Sequence, residues 1–225
     1  MHKTRGWFWL ASAGLLASAL LAVWGVSSVM AAPEPALVQG PGTWQLEFQL
    51  YNDRPAPITL QVPGTNEVKT YWYLLYKVTN PTDKAINFYP RFEMFTDTLH
   101  LSRGGVAERR YVYEAIRKRY AGTIPLMEPS AMVAGRILVG EDNARDSVAV
   151  FEDFDPKATR VKVFVMGLSN ETVTVPSPVR VDKETAEPVE VLLRKTLALE
   201  YRVAGDPRDP GNRAMLYQNR DWVMR

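Results

Sequence analysis

The chain has 225 residues, 46% hydrophobic and 23% charged, an ordinary globular balance that excludes wholesale disorder. It has no cysteine, which excludes disulfides, thiolate metal sites, cysteine nucleophiles and a lipid-modified N-terminal cysteine. The formal charge is +2, but Lys3 and Arg5 account for that excess; with residues 1–31 set aside, basic and acidic side chains balance at 25 each, and nucleic acid is not an expected partner.

Residues 1–31 read as an export segment. His2, Lys3 and Arg5 form a basic start, Trp7 to Val26 is apolar and uncharged, and Ser27 to Ala31 is small and weakly polar. Val29-x-Ala31 fits the small-residue rule of a signal-peptidase site. The alternative is an uncleaved N-terminal anchor helix, since an apolar run of about twenty residues can span a bilayer. Membrane contact would then run through residues 7–26. In both cases the basic start stays inside and the rest is exported, which points to the periplasm or cell envelope. Residues 32–42, rich in Pro and Gly, read as a linker.

Strand signals begin at Trp44. Trp44, Leu46, Phe48 and Leu50 alternate with Gln45, Glu47 and Gln49, the period of a half-buried strand. "YNDRPAP" is turn chemistry, and Ile58, Leu60 and Val62 alternate again. In "YWYLLYKVTNPTDKAINFYP", Trp72, Leu74, Tyr76 and Val78 share one face, and Tyr71, Tyr73 and Leu75 share the other. A strand apolar on both faces is expected to be central and covered twice, its rings filling a core. Asn80-Pro81-Thr82-Asp83 fits a type I turn with Pro at its second position. Residues 107–120 break the pattern: Val112, Ile116 and Tyr120 recur at helical spacing, Glu114 faces Lys118, and Arg117, Lys118 and Arg119 suit the helix C-terminus. Strands resume in "GRILVG", "SVAVF", "RVKVFVMGL" and "ETVTV". A Pro- and charge-rich stretch from Pro176 to Pro188 precedes the alternating "VEVLLRKTLALEYRV". About eight or nine short strands with one inserted helix fit a mainly β, antiparallel sandwich over residues 43–203, with 204–225 as a C-terminal extension.

Candidate chemistry is sparse. His100 would be the histidine of any triad in the mature chain, with Ser102 too close in sequence to serve it, and a packed or surface role is the simpler reading. Met94, Met127, Met132 and Met166 could build a thioether copper site but show no cluster spacing, and gap-filling explains them better. Glu141-Asp142, Asp146 and Glu152-Asp153-x-Asp155 are the best cation candidates, against a purely local role in turns. Arg109, Arg110, Arg117, Lys118 and Arg119, interleaved with Tyr111, Tyr113 and Tyr120, could meet anionic headgroups or an acidic polymer; a solvated helix face is the simpler account. Gly104-Gly105 looks like a turn with no phosphate-binding Lys after it, and Asn170-Glu171-Thr172 matches a glycosylation acceptor. No residue stands out as catalytic, cofactor-binding or metal-binding.

"YWYLLYKVTNPTDKAINFYPRFEMFTDT" resembles the central strands of immunoglobulin-like domains in exported bacterial proteins, and "GEDNARDSVAVFEDFDPKATRVKVFVMGLSN" resembles their later strands. "LRKTLALEYRVAGDP" with "DWVMR" is similar to the ends of uncharacterised exported proteins of planctomycete-type bacteria. The resemblance implies an immunoglobulin-like β-sandwich across most of residues 43–225 and transfers no catalytic residue. The expectation is a non-enzymatic interaction or structural module that needs no cofactor and meets another envelope protein or polymer through the loops at one end, the helix or the Pro-rich C-terminal extension. An envelope hydrolase or carbohydrate-active enzyme using a carboxylate pair, and a metal-binding module, are the alternatives.

Overall fold

Period-two alternation becomes two antiparallel sheets in the computed structural model, which describes residues 32–35, 42–104, 110–185, 187–206, 209 and 212–225. The expected export segment, much of the linker and the start of the expected helix, with Gly105, Glu108 and Arg109, lie outside the described residues.

The first sheet is organised by β3 (Val68–Thr79). β1 (Glu47–Leu50) and β2 (Ala56–Gln61) pair with successive halves of one edge of β3, and β9 (Arg145–Glu152) pairs with the other. The two-residue β7 (Glu128–Pro129) adds parallel to β9. The second sheet runs β6 (Leu101–Arg103), β5 (Arg91–Thr96), β10 (Arg160–Met166), β12 (Pro188–Ala204), β13 (Ala214–Met224). β11 (Thr172–Val181) follows β10 along the same edge of β12. A small pair, β4 (Ile86–Phe88) with β8 (Gly135–Ile137), adds Ile86, Phe88 and Ile137 to the core.

One core fills the space between the facing sheets, and β3 supplies its centre. Trp72, Leu74, Tyr76 and Val78 meet Phe92, Met94, Val163 and Leu199 from the second sheet. Phe48 stacks on Tyr76 at 5.1 Å between ring centroids, and both lie near Phe92, at 6.3 and 5.0 Å. These offset and tilted arrangements suit the ring quadrupoles. The other side of β3 carries Tyr71, Tyr73 and Leu75 into a second core under α1 (Arg110–Arg119), where they meet Val112, Tyr113 and Ile116. The helix is fastened by tyrosine hydroxyls: Tyr71 to Tyr111 at 2.5 Å, Tyr73 to Tyr120 at 3.0 Å, and Tyr113 to the carbonyl of Met127 at 2.8 Å. The expected Glu114–Lys118 contact gives way to Glu114 with Arg117, at 3.8 Å.

The turn after β3 is an Asx-type turn. The buried Asn80 side chain accepts from the N–H and hydroxyl of Thr82, and donates to the carbonyls of Lys84 and Ile137. Every polar atom of that amide is therefore satisfied.

Three expectations need correction. The described residues form thirteen strands, not eight or nine, and a second short helix, α2 (Ser130–Val133), joins α1. Within the stretch from Pro176 to Pro188, Pro176 to Val181 continues β11 and Pro188 opens β12, with residues 183–185 in a turn between them; a register shift between Pro176 and Val181 accommodates Pro178. Residues 204–225 are not an appendage: β13 pairs with β12 from Lys195 to Ala204 and sends Met215 and Met224 into buried positions.

Trp72→Ala should cost roughly 3–5 kcal/mol in urea unfolding, because the ring is wholly buried at the centre of the shared core. A cost near that of a surface substitution would refute this placement. Burial pushes the Tyr76 hydroxyl up from 10.0 to about 12. The fold thus prefers the protonated phenol. Its contribution is fully present below 10.0 and is lost as pH climbs toward about 12, so the unfolding midpoint should fall across that window. Tyr76→Phe should flatten the fall.

Candidate functional site

The residues singled out in the sequence do not converge. His100 is exposed near the turn between β5 and β6, where its N–H donates to Thr96 Oγ1 at 3.1 Å. Ser102 is buried and its hydroxyl accepts from the Glu152 N–H at 3.2 Å. Met94 lies in the core between the sheets, Met127 in the core under α1, and Met132 is exposed. Among the described residues no group of three or more His, Asp or Glu is placed to hold a metal ion.

The acidic candidates have local partners. Asp146 accepts from the Tyr51 hydroxyl at 2.5 Å, and Asp155 accepts from the N–H of Lys157 at 2.8 Å. Glu141 and Asp142 lie in a single 3-10 turn. The carboxyls of Asp97 and Asp182 sit below the usual carboxylate range, the first chiefly through the Thr159 hydroxyl and the second through the backbone N–H groups of Thr185 and Glu184. Both cap turns. On α1, Arg119 donates to Tyr73 at 3.2 Å and Arg117 faces Glu114. Gly104 is required by crowding, since a Cβ there would lie 2.8 Å from Phe92 Cβ. Asn170 spends both amide atoms on the incoming chain, accepting from Trp44 N–H at 2.7 Å and donating to Gly42 O at 3.1 Å.

Sequence reasoning missed Arg213. It is 3% exposed, and its Nη2 reaches both oxygens of Asp153 at 2.6 Å. The same carboxylate accepts from the Trp72 indole N–H at 2.8 Å. The guanidinium lies over Phe154 at 5.0 Å and Trp72 at 5.8 Å, within cation–π range. Nε and Nη1 have no hydrogen-bond partner. One carboxylate and two rings thus hold a buried cation that ties the chain entering β13 to the end of β9. Removing one partner of such a pair leaves a buried charge uncompensated. Arg213→Ala should therefore cost about 3–5 kcal/mol in chemical denaturation. The double variant Arg213→Met with Asp153→Asn, which removes both charges and keeps the bulk, should cost clearly less. Equal costs would refute the account.

The candidate contact surface is the ribbon formed by β11 and the first part of β12. The C-terminal part of β12 is paired on both edges, by β10 and β13, whereas Pro188–Leu193 has β11 alone. Val173, Val175, Val191 and Leu193 are half-buried on one face, the face that carries Leu197, Leu199 and Tyr201 into the core further along. Val179 is 86% exposed, Val181 57% and Leu192 52%. Gly167, at φ +90°, lets the chain pass from β10 toward β11; a Cβ there would meet Tyr89 O at 2.6 Å. Ser177 caps the bulge, its hydroxyl accepting from the N–H groups of Val179 and Arg180. A shallow groove of about 410 Å³ is also lined by the second sheet; in it Lys162 pairs with Glu200 at 2.5 Å and Arg160 lies 4.0 Å from Asp97.

No protein-family model, no curated protein and no solved structure matches the chain. Among the described residues no helix is long and apolar enough to cross a membrane.

Proposed function

We propose that the chain is an exported interaction module of the cell envelope, an immunoglobulin-like β-sandwich that works by binding rather than by turnover, with the β11–β12 ribbon as its contact surface. The observation that carries this reading is the ribbon itself. β11 and the first part of β12 project beyond the strands that flank the rest of β12, with Val179 and Val181 of β11 and Leu192 of β12 exposed, as a two-stranded element that gains little stability alone. The basic-apolar-small pattern of residues 1–31 supports export, and the match of Val29-x-Ala31 to a cleavage site supports release.

The test uses the full chain in its native host, with a photo-crosslinking amino acid at Val179, at Leu192, or at Lys69 on the first sheet. Adducts should form from Val179 and Leu192 and be scarce from Lys69. Equal yields from all three positions overturn the ribbon as contact surface. N-terminal sequencing of the recovered chain should read Ala32 after cleavage or Met1 if residues 7–26 remain as an anchor, and recovery in the cytoplasmic fraction overturns export.

A further inference from the structure

The two sides of the sandwich are closed differently. On one side β6 meets β9 directly: the Ser102 hydroxyl accepts from the Glu152 N–H, and a Cβ on Gly104 would lie 3.2 Å from the Phe151 ring. On the other side β1 and β2, at the edge of the first sheet, face β13, at the edge of the second. Arg220 bridges this seam, its Nη2 donating to Phe48 O at 2.8 Å. Two cavities follow one another along it. The first, about 540 Å³, is lined by residues 45–48, the turn 81–83, Arg220 and Trp222. The second, about 750 Å³, is lined by residues 51–54, Ala56, Leu216 and Tyr217.

The bulge in β13 decides which side chains face the seam. Tyr217 and Arg220 are three residues apart, and on a regular strand they would point to opposite faces. The extra residue Gln218 returns them to one face, together with Trp222. The rings are held before any ligand arrives. Lys195, buried and paired with Glu171 at 2.9 Å, lies over Trp222 at 5.4 Å from the ring centre. Tyr217, 46% exposed, packs edge-on against the buried Tyr201 at 6.3 Å. The Tyr201 hydroxyl has no hydrogen-bond partner among the described residues. The charged groups that act on it are Asp53 and Arg220, one from each cavity. A buried hydroxyl is thus left unspent beside the seam, at a cost that an incoming polar group can relieve.

We infer that the seam binds an extended neutral polysaccharide, a β-1,4-linked hexose chain lying along β13. The walls select it. Glu47, Asp83 and Asp53 stand against Arg220 and Arg54, so no excess of positive charge attracts an anionic polymer. Carboxylates, guanidiniums and the amides of Gln45 and Asn52 together suit hydroxyls, which both donate and accept. Trp222 and Tyr217 offer apolar ring faces to the C–H faces of sugars. Their partners on β12, Leu197 and Tyr201, are four residues apart, which sets the rings about 13 Å apart along the strand, the length of roughly two to three linked hexoses. A straight strand edge suits a chain that β-1,4 linkage keeps extended, and not the coil of an α-1,4-linked chain. The seam shares no residue with the β11–β12 ribbon, so the two surfaces stand or fall separately.

The test titrates the full chain with cellohexaose and chitohexaose, and with maltohexaose and heparin as controls, by calorimetry and tryptophan fluorescence. At least one β-linked hexaose should bind and shift the tryptophan emission, and both controls should bind far more weakly. Tyr217→Ala should weaken binding about tenfold through loss of a stacking ring, with the thermal midpoint of unfolding left in place. Tyr217→Phe, which keeps the ring, should retain most of the affinity. Glu47→Gln and Asp83→Asn should each weaken it severalfold, and Lys69→Ala, outside the seam, should not change it. Binding of neither β-linked hexaose overturns the inference. So does equal or tighter binding of maltohexaose or heparin, or an affinity that Tyr217→Ala and Glu47→Gln both leave unchanged.

Discussion

A single strand buried on both faces sets most of this structure. β3 alternates large side chains on each side, so neither face can meet water without exposing several rings. Trp72, Leu74 and Tyr76 require a second sheet opposite them, and Tyr71, Tyr73 and Leu75 require a helix above them. At about 25 cal/mol per Å² of apolar surface, leaving either face open would forfeit a large part of the folding free energy. The three-layer arrangement is the consequence. The tyrosines then solve the remaining problem of polar atoms. Their rings are buried while Tyr71, Tyr73 and Tyr113 reach partners on or just beyond α1, which fixes the helix by direction as well as by packing.

The buried Arg213 is the polar counterpart of that constraint. It lies against two rings, Trp72 from β3 and Phe154 from the segment after β9, and shares with Trp72 the carboxylate of Asp153. Its position makes the start of β13 answer to the centre of the first sheet, although β13 belongs to the second. Arg220 repeats the device on a smaller scale, donating from β13 to the carbonyl of Phe48 at 2.8 Å. Polar ties between sheets constrain sliding in a way that an apolar core, with its non-directional attraction, does not.

How much of this could be read in the sequence depends on whether the signal was local. The doubly covered β3 was legible because Tyr71 to Tyr76 is apolar or aromatic at every position and so on both faces, and α1 was legible from Val112, Ile116 and Tyr120. β13 was not, for a specific reason. Tyr201 faces Tyr217 but Glu200 faces Asn219, so Gln218 is an extra residue and the alternation changes parity there. Met215 and Tyr217 lie on one side of that slip, and Arg220, Trp222 and Met224 resume the same face after it. A period-two reading sees two fragments too short to count. The prolines of β11 hid a strand in the same way, since proline argues against a strand unless an edge or a bulge receives it. Arg213 gave no signal at all: its partner Asp153 is 60 residues away, and each alone reads as a loop residue. The ribbon, as the candidate contact surface, was legible only as strand sequence, because exposure depends on where neighbouring strands stop.

That last dependence explains the shape of the surface. β12 has 17 residues, and its neighbours cover it unequally: β10 and β13 serve the C-terminal part, β11 the N-terminal part. A strand that outruns its sheet exposes a ladder edge, which natural sheets ordinarily block with proline, charge or a covering element. Here proline stands on the β11 edge and at Pro188, and the terminal Arg225 covers Arg194, while Val189 to Leu193 between them carry three valines and leucines on one face and only Glu190 as a charge within the window. Proline blocks edge pairing on one side of the ribbon and not on the other. An edge bounded so sharply at both ends, and open between them over five residues, is better suited to one defined strand than to indiscriminate association, because any longer or shifted partner meets Pro188 or Arg225.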